Sequence, residues 1–108
     1  SDVLQRVLEL RADVNARTTN GSTMLMFASY GGHVDTCQMI LRGRGDLMAR
    51  NSFGCDAAHF AGMGGSVVLC QLLSREGLPL DRRQSSGHTV LHKAAQFGNS
   101  PLVSHLLS

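Results

Sequence analysis

At 108 residues, 43% hydrophobic and 17% charged, the chain can bury one core and is too short for two ordinary domains. Ten Lys and Arg against eight Asp and Glu leave +2, well short of a nucleic-acid module's basic excess, and 12 Gly with 2 Pro exclude a collagen-like or disordered polymer. No apolar run approaches the roughly 20 residues of a membrane-spanning helix. Ser1 to Leu10 mix Asp2, Arg6 and Glu9 with Val and Leu, which is no signal peptide, and without an initiator Met the chain is expected to be a piece of something longer. Cys37, Cys55 and Cys70, an odd number without a secretory signal, argue for free thiols in a reducing compartment.

In chain order, residues 1–16 read as the end of a helical unit, because Leu4, Val7, Leu8, Asp13, Val14 and Ala16 stand one step of 33 before Cys37, Ile40, Leu41, Asp46, Leu47 and Ala49. A whole unit, 17–49, follows. Gly21 suits a tight turn, Thr23 can cap a first helix through Leu25, Ala28 and Ser29, and Gly32 ends it. A second helix starts near His33 and places Val34, Cys37, Ile40 and Leu41 on one stripe before Gly45-Asp46-Leu47 turns back. The next unit, 50–82, repeats this with Gly54, Asp56 as cap, Ala58, Ala61 and Gly65, then Ser66, Val67, Cys70 and Leu73. Gly62, Gly64 and Gly65 crowd its first helix, so this unit is expected to be the softest. Residues 83–108 hold most of a fourth unit, with Gly87, Thr89, Leu91, Ala94, Gly98, Asn99, Val103 and Leu106 in the same columns and Pro101 in a first helical turn. Helices of about ten residues are marginal alone, so the units are expected to stack and share an interior.

Gly87-His88-Thr89-Val90-Leu91-His92-Lys93-Ala94-Ala95 and Ala12-Asp13-Val14-Asn15-Ala16 resemble the signature strings of the ankyrin repeats. The resemblance covers the whole chain. It implies an all-α fold, an ankyrin-type helix-turn-helix solenoid with projecting β-turn or hairpin loops, forming a single repeat domain fragment over residues 1–108. Departures are Met24, Ala57 and Val90 for Pro, Met26 for the signature His, Asp56 for the capping Thr, and Arg11 and Arg44 where Gly is usual.

Catalysis is tested first. His33 and Cys37, Cys55 and His59, and His88 and His92 are each four apart, a spacing that can place two ligands on one side of a helix. His59 and His92 fall in the structural signature slot, Cys37 and Cys70 in apolar core slots, and pairs on successive units do not converge on one cage. There is no phosphate loop or nucleophile elbow, and the carboxylates are scattered. No enzyme, metal or cofactor is therefore expected; a metal- or thiol-dependent enzyme using the Cys and His pairs is the rival. Arg44-Gly45-Asp46 spells an adhesion tripeptide but reads as a return segment. Arg42 and Arg75 read as cations at helix ends.

Two patterns point to binding. Arg17, Arg50 and Arg83 recur at one turn-edge slot, so stacking should line them into a cationic row that a partner's acidic segment can meet. Tyr30 and Met63 share a slot at the end of the first helix, Phe97 lies one position beyond it in the last unit, and Phe53 sits at a turn tip. The resemblance places such slots on a concave face and fingers, and aromatic anchors beside Arg are the composition of interface hot spots. Phe27 and Phe60 read as core. The expected function is non-catalytic protein binding through Arg17, Tyr30, Arg50, Phe53, Met63, Arg83 and Phe97. A protein partner with an acidic segment is expected, with no membrane or nucleic acid, further repeats or domains in the same chain, and a cytoplasmic location with the nucleus as alternative. A passive spacer in a longer array is the remaining reading.

Overall fold

The computed structural model describes residues 14–108; the expected repeat end at 1–16 and its Arg11 therefore lie outside the described residues, apart from Val14 to Ala16. Six helices in three pairs make up the described chain, which has no strand: α1 (Met24–Tyr30), α2 (Val34–Arg42), α3 (Ala57–Gly64), α4 (Val67–Arg75), α5 (Val90–Gln96) and α6 (Ser100–Leu107). None is long and apolar enough to cross a membrane. The odd-numbered inner helices pack side by side, each lies against the outer helix that follows it, and neighbouring outer helices touch much less. The described chain is elongated, 41 × 25 × 22 Å.

Each inner helix starts where the capping residues stand. Thr23 Oγ1 accepts the Met26 amide hydrogen bond at 3.4 Å, while the Met26 sulfur accepts from Thr23 N at the same distance. A thioether thus does the reciprocal work that His59 does at α3, where Asp56 Oδ1 accepts from His59 N at 3.0 Å and His59 Nδ1 lies 3.3 Å from Asp56 N. At α5 the expectation fails: Thr89 makes no side-chain cap bond. The ring of His92, in the slot of Met26 and His59, stacks on His88 instead, with centroids 4.7 Å apart. Among the outer helices, Ser66 Oγ caps α4 through Leu69 N, and Pro101 sits in the first turn of α6.

The shared interior contains Leu25, Ala28, Cys37 and Ile40 from the first pair, Ala58, Ala61, Leu69, Cys70 and Leu73 from the second, and Val90, Ala94 and Leu102 from the third. Small side chains at Ala28, Ala61 and Ala94 allow the inner helices to lie close. The glycines of α3 serve the same end. A Cβ on Gly62 would meet the Val90 carbonyl at 3.0 Å, and one on Gly64 would run into the backbone oxygen of Tyr30. Set against their cost in helix propensity are contacts that no larger residue could make.

Phe27 corrects the sequence reading. It is 54% exposed and does not belong to the core. Neighbouring elements cover Leu25, Met26, Ala28 and Ser29 on α1, and position 27 points into the one direction left open. The return segments differ as the sequence implies: Arg44 holds φ +68°, the left-handed conformation that Gly77 supplies 33 residues later at φ +110°.

Candidate functional site

The projecting turns, here called fingers, are built by backbone and side chain together. Within each, a hydrogen bond closes the neck, from Thr18 N to Ser22 O, Asn51 N to Cys55 O and Gln84 N to His88 O, all at 2.9 Å. The same three residues fasten the tip from inside. Thr18 Oγ1 accepts from Ser22 N, Asn51 Oδ1 from Phe53 N and Cys55 N, and Gln84 Oε1 from Ser86 N and His88 N. Adjacent fingers are joined by Ser52 N to Asn20 O at 2.8 Å and Ser85 N to Phe53 O at 2.9 Å. Sequence reading missed this slot because Thr, Asn and Gln share no identity, only an acceptor oxygen at one position.

The arginine row exists and is more than a solvated edge. Arg17 Nη1 donates to Gly21 O in its own finger at 3.2 Å and to the carbonyl of Arg50 at 2.8 Å. Arg50 Nη1 repeats this toward Gly54 O at 3.4 Å and Arg83 O at 2.7 Å, and Arg83 Nη1 reaches Gly87 O at 3.0 Å. All three side chains remain exposed. Each staple uses Nη1 and leaves the charge and the other donors of the fork in place.

The apolar candidates are open to solvent to different degrees. Phe53 is 58% exposed on its finger, Tyr30 52% and Phe97 49% at the ends of α1 and α5, and Met63 on α3 is half-buried. Phe27 lies one turn nearer the fingers than Tyr30, and with Thr18, Thr19, Asn20 and Ser52 it lines a cleft between finger and inner helix. Phe60, half-buried, and Lys93 occupy the matching positions on α3 and α5. Fingers and inner helices together, residues 17–33, 50–66 and 83–99, carry Arg17, Arg50, Arg83 and Lys93 and a single carboxylate, Asp56, which is buried. The exposed carboxylates Asp35, Asp46, Glu76 and Asp81 sit on outer helices and returns.

Asp56 belongs to the scaffold. His59 Nδ1 stands 2.9 Å from its Oδ1, and Arg82 Nη1 stands 3.3 Å from Oδ2. Burial works to raise the carboxyl's pKa, but the His59 hydrogen bonds and the charges of His59 and Arg82 outweigh it and hold the pKa below the ordinary value. His59 Nε2 donates to His88 O at 3.0 Å and so ties α3 to the next finger. The His88 ring has its pKa lowered by desolvation and by nearby His92, Lys93 and His59.

All three thiols are buried, and burial pushes their pKa values up, that of Cys70 to about 11, so they rest as thiols and not as nucleophilic thiolates. Cys37 is enclosed beside Ser29 Oγ at 3.7 Å, while His33 is exposed. Among the described residues no three His, Cys, Asp or Glu side chains gather closely enough to hold a metal ion. The adhesion-like tripeptide is pinned, with Asn15 bonding the Arg44 carbonyl and the Asp46 amide, and the Asp46 carboxylate accepting from Met48 N.

No curated protein matches the chain as a relative. A family model described as ankyrin repeats in many copies matches residues 2–41, which take in α1 and nearly all of α2. The two later helix pairs rebuild the same finger, inner helix and outer helix at steps of 33 residues, with Arg17 and Arg50 bonding across that step. Over residues 2–41 the chain is thus similar to the ankyrin repeats, and the helix pairs that follow keep the same period.

Proposed function

We propose that this chain is a non-catalytic module that binds a protein partner through the face shared by its fingers and inner helices. Ankyrin repeats are in general modules of protein–protein interaction. The observation that carries the reading is the exposure of Phe27, Tyr30 and Phe53 on a backbone already fixed by finger-to-finger hydrogen bonds. Aromatic anchors on a rigid frame bind without a large ordering cost. Tyr30, Phe53, Met63 and Phe97 act as apolar anchors, and Arg17, Arg50 and Arg83 orient the partner by charge. Free buried thiols support a reducing compartment, the cytoplasm first.

The test compares proteins captured from a cell lysate by the wild-type chain and by a Tyr30→Ala, Phe53→Ala double variant. Both residues are exposed, so helicity by circular dichroism should be unchanged. Loss of two anchors should weaken a bound partner by about 2–4 kcal/mol, enough to empty the capture lane. Capture unaffected by the double change would reject this face and favour the spacer reading.

A further inference from the structure

We propose that this face takes an extended, polyproline-like segment of the partner that carries a carboxylate at about every third residue, with apolar side chains in the register between. The proposal rests on the protein-binding reading above and adds the chemistry and spacing of what is bound.

Charge sets the chemistry. The described fingers and inner helices present Arg17, Arg50, Arg83 and Lys93 with no exposed carboxylate, while the exposed acids lie on outer helices and returns. A basic segment would meet only like charge here. Because carbonyl bonds from the finger and from the next Arg hold the Arg17 and Arg50 guanidiniums, these cations do not have to be ordered when a carboxylate arrives.

Spacing sets the register. The row recurs once per helix pair; packed helices in general lie about 8–10 Å apart, and Ala and Gly at the inner-helix contacts suit such close packing. A polyproline helix advances about 3.1 Å per residue with three residues per turn, so side chains three apart point the same way and are separated by roughly 9 Å. One turn of such a segment therefore matches one step of the stack, and a carboxylate at every third position can meet successive cations. Phe27 and Phe60 occupy matching positions on α1 and α3, and Lys93 continues that row on α5. The apolar register of the segment lies over the two Phe rings, and Lys93 adds positive charge to the α5 end of the face.

The test uses dye-labelled synthetic peptides read by fluorescence polarisation at low ionic strength. One repeats Glu-Leu-Pro over about four polyproline turns. A second has the same composition with all Glu grouped at one end, and a third has Lys in place of Glu. The repeating acidic peptide should bind about tenfold more tightly than the grouped one, and the basic one should not bind. Lys93→Glu and Phe27→Ala should each weaken the first peptide several-fold while leaving helicity intact; neither side chain takes part in a staple. Equal binding of the two acidic peptides would overturn the register, and preference for the basic one would overturn the chemistry. If no peptide binds yet the Tyr30, Phe53 variant loses captured protein, this inference falls and the binding reading stands; if capture is also unaffected, both fall.

Discussion

Asp56 and Arg82 are each an exception to their column. Thr23 and Thr89 stand where Asp56 does, and Ala16 and Ala49 stand where Arg82 does. The fold brings the two exceptions within 3.3 Å, and the second compensates the first: an aspartate cap buried at 0% exposure needs a cation for its outer oxygen. Arg82→Ala should cost about 1–3 kcal/mol in wild type and well under that in an Asp56→Thr background, measured by urea unfolding. Equal cost in both backgrounds would dissolve the pairing. The pH dependence follows from the direction of the shift. The folded carboxyl titrates below its unfolded value near 3.8, so the unfolded chain takes up the proton first. The pair's contribution is complete above that value and is lost as pH falls through the folded pKa, so the acid decline of stability should be steeper in wild type than in Asp56→Thr.

Among elements, α3 shows how contact overrides propensity. Gly→Ala in an open helix gains up to about 1 kcal/mol, whereas overpacking against backbone costs about 1–3 kcal/mol. At Gly64 a methyl group would run into the Tyr30 carbonyl, so Gly64→Ala should lower the unfolding midpoint despite the better helix former; a raised midpoint would show that α1 and α3 can move apart freely. Such contacts also mark where sequence reading stops. The step of 33 residues made the helices, the cap positions Thr23 and Asp56 and the small Ala column legible, since each depends on local chemistry repeated in register. Phe27 was misread because one periodicity does not say how many sides of a helix are covered, and α1 is covered on every side but one. The arginines were visible as a row, but their bonds to carbonyls one unit on were not, because a backbone acceptor leaves no mark in sequence. Arg82 was missed because nothing in its own column asks for a charge.

Across the whole molecule, contacts run from each pair to the next, so disturbance should stay local. Asn99 gives a clean test. Its Nδ2 donates to Gly62 O at 2.8 Å and Met63 O at 3.0 Å, joining the start of α6 to the end of α3. Asn99→Ala should cost about 1–2 kcal/mol and speed hydrogen exchange in α5 and α6 while leaving α1 and α2 near their wild-type rates. Uniform acceleration throughout would mean that the described chain opens as one block.

The ion pair of Asp56 and Arg82 spans almost the full length of the segment between residues 50 and 82. A gene fragment cut at those two points and grafted into another array would carry acid and base together and arrive electrically self-sufficient. Cut a few residues later, between the two, the same graft would strand a carboxylate in one recipient and orphan an arginine in the other.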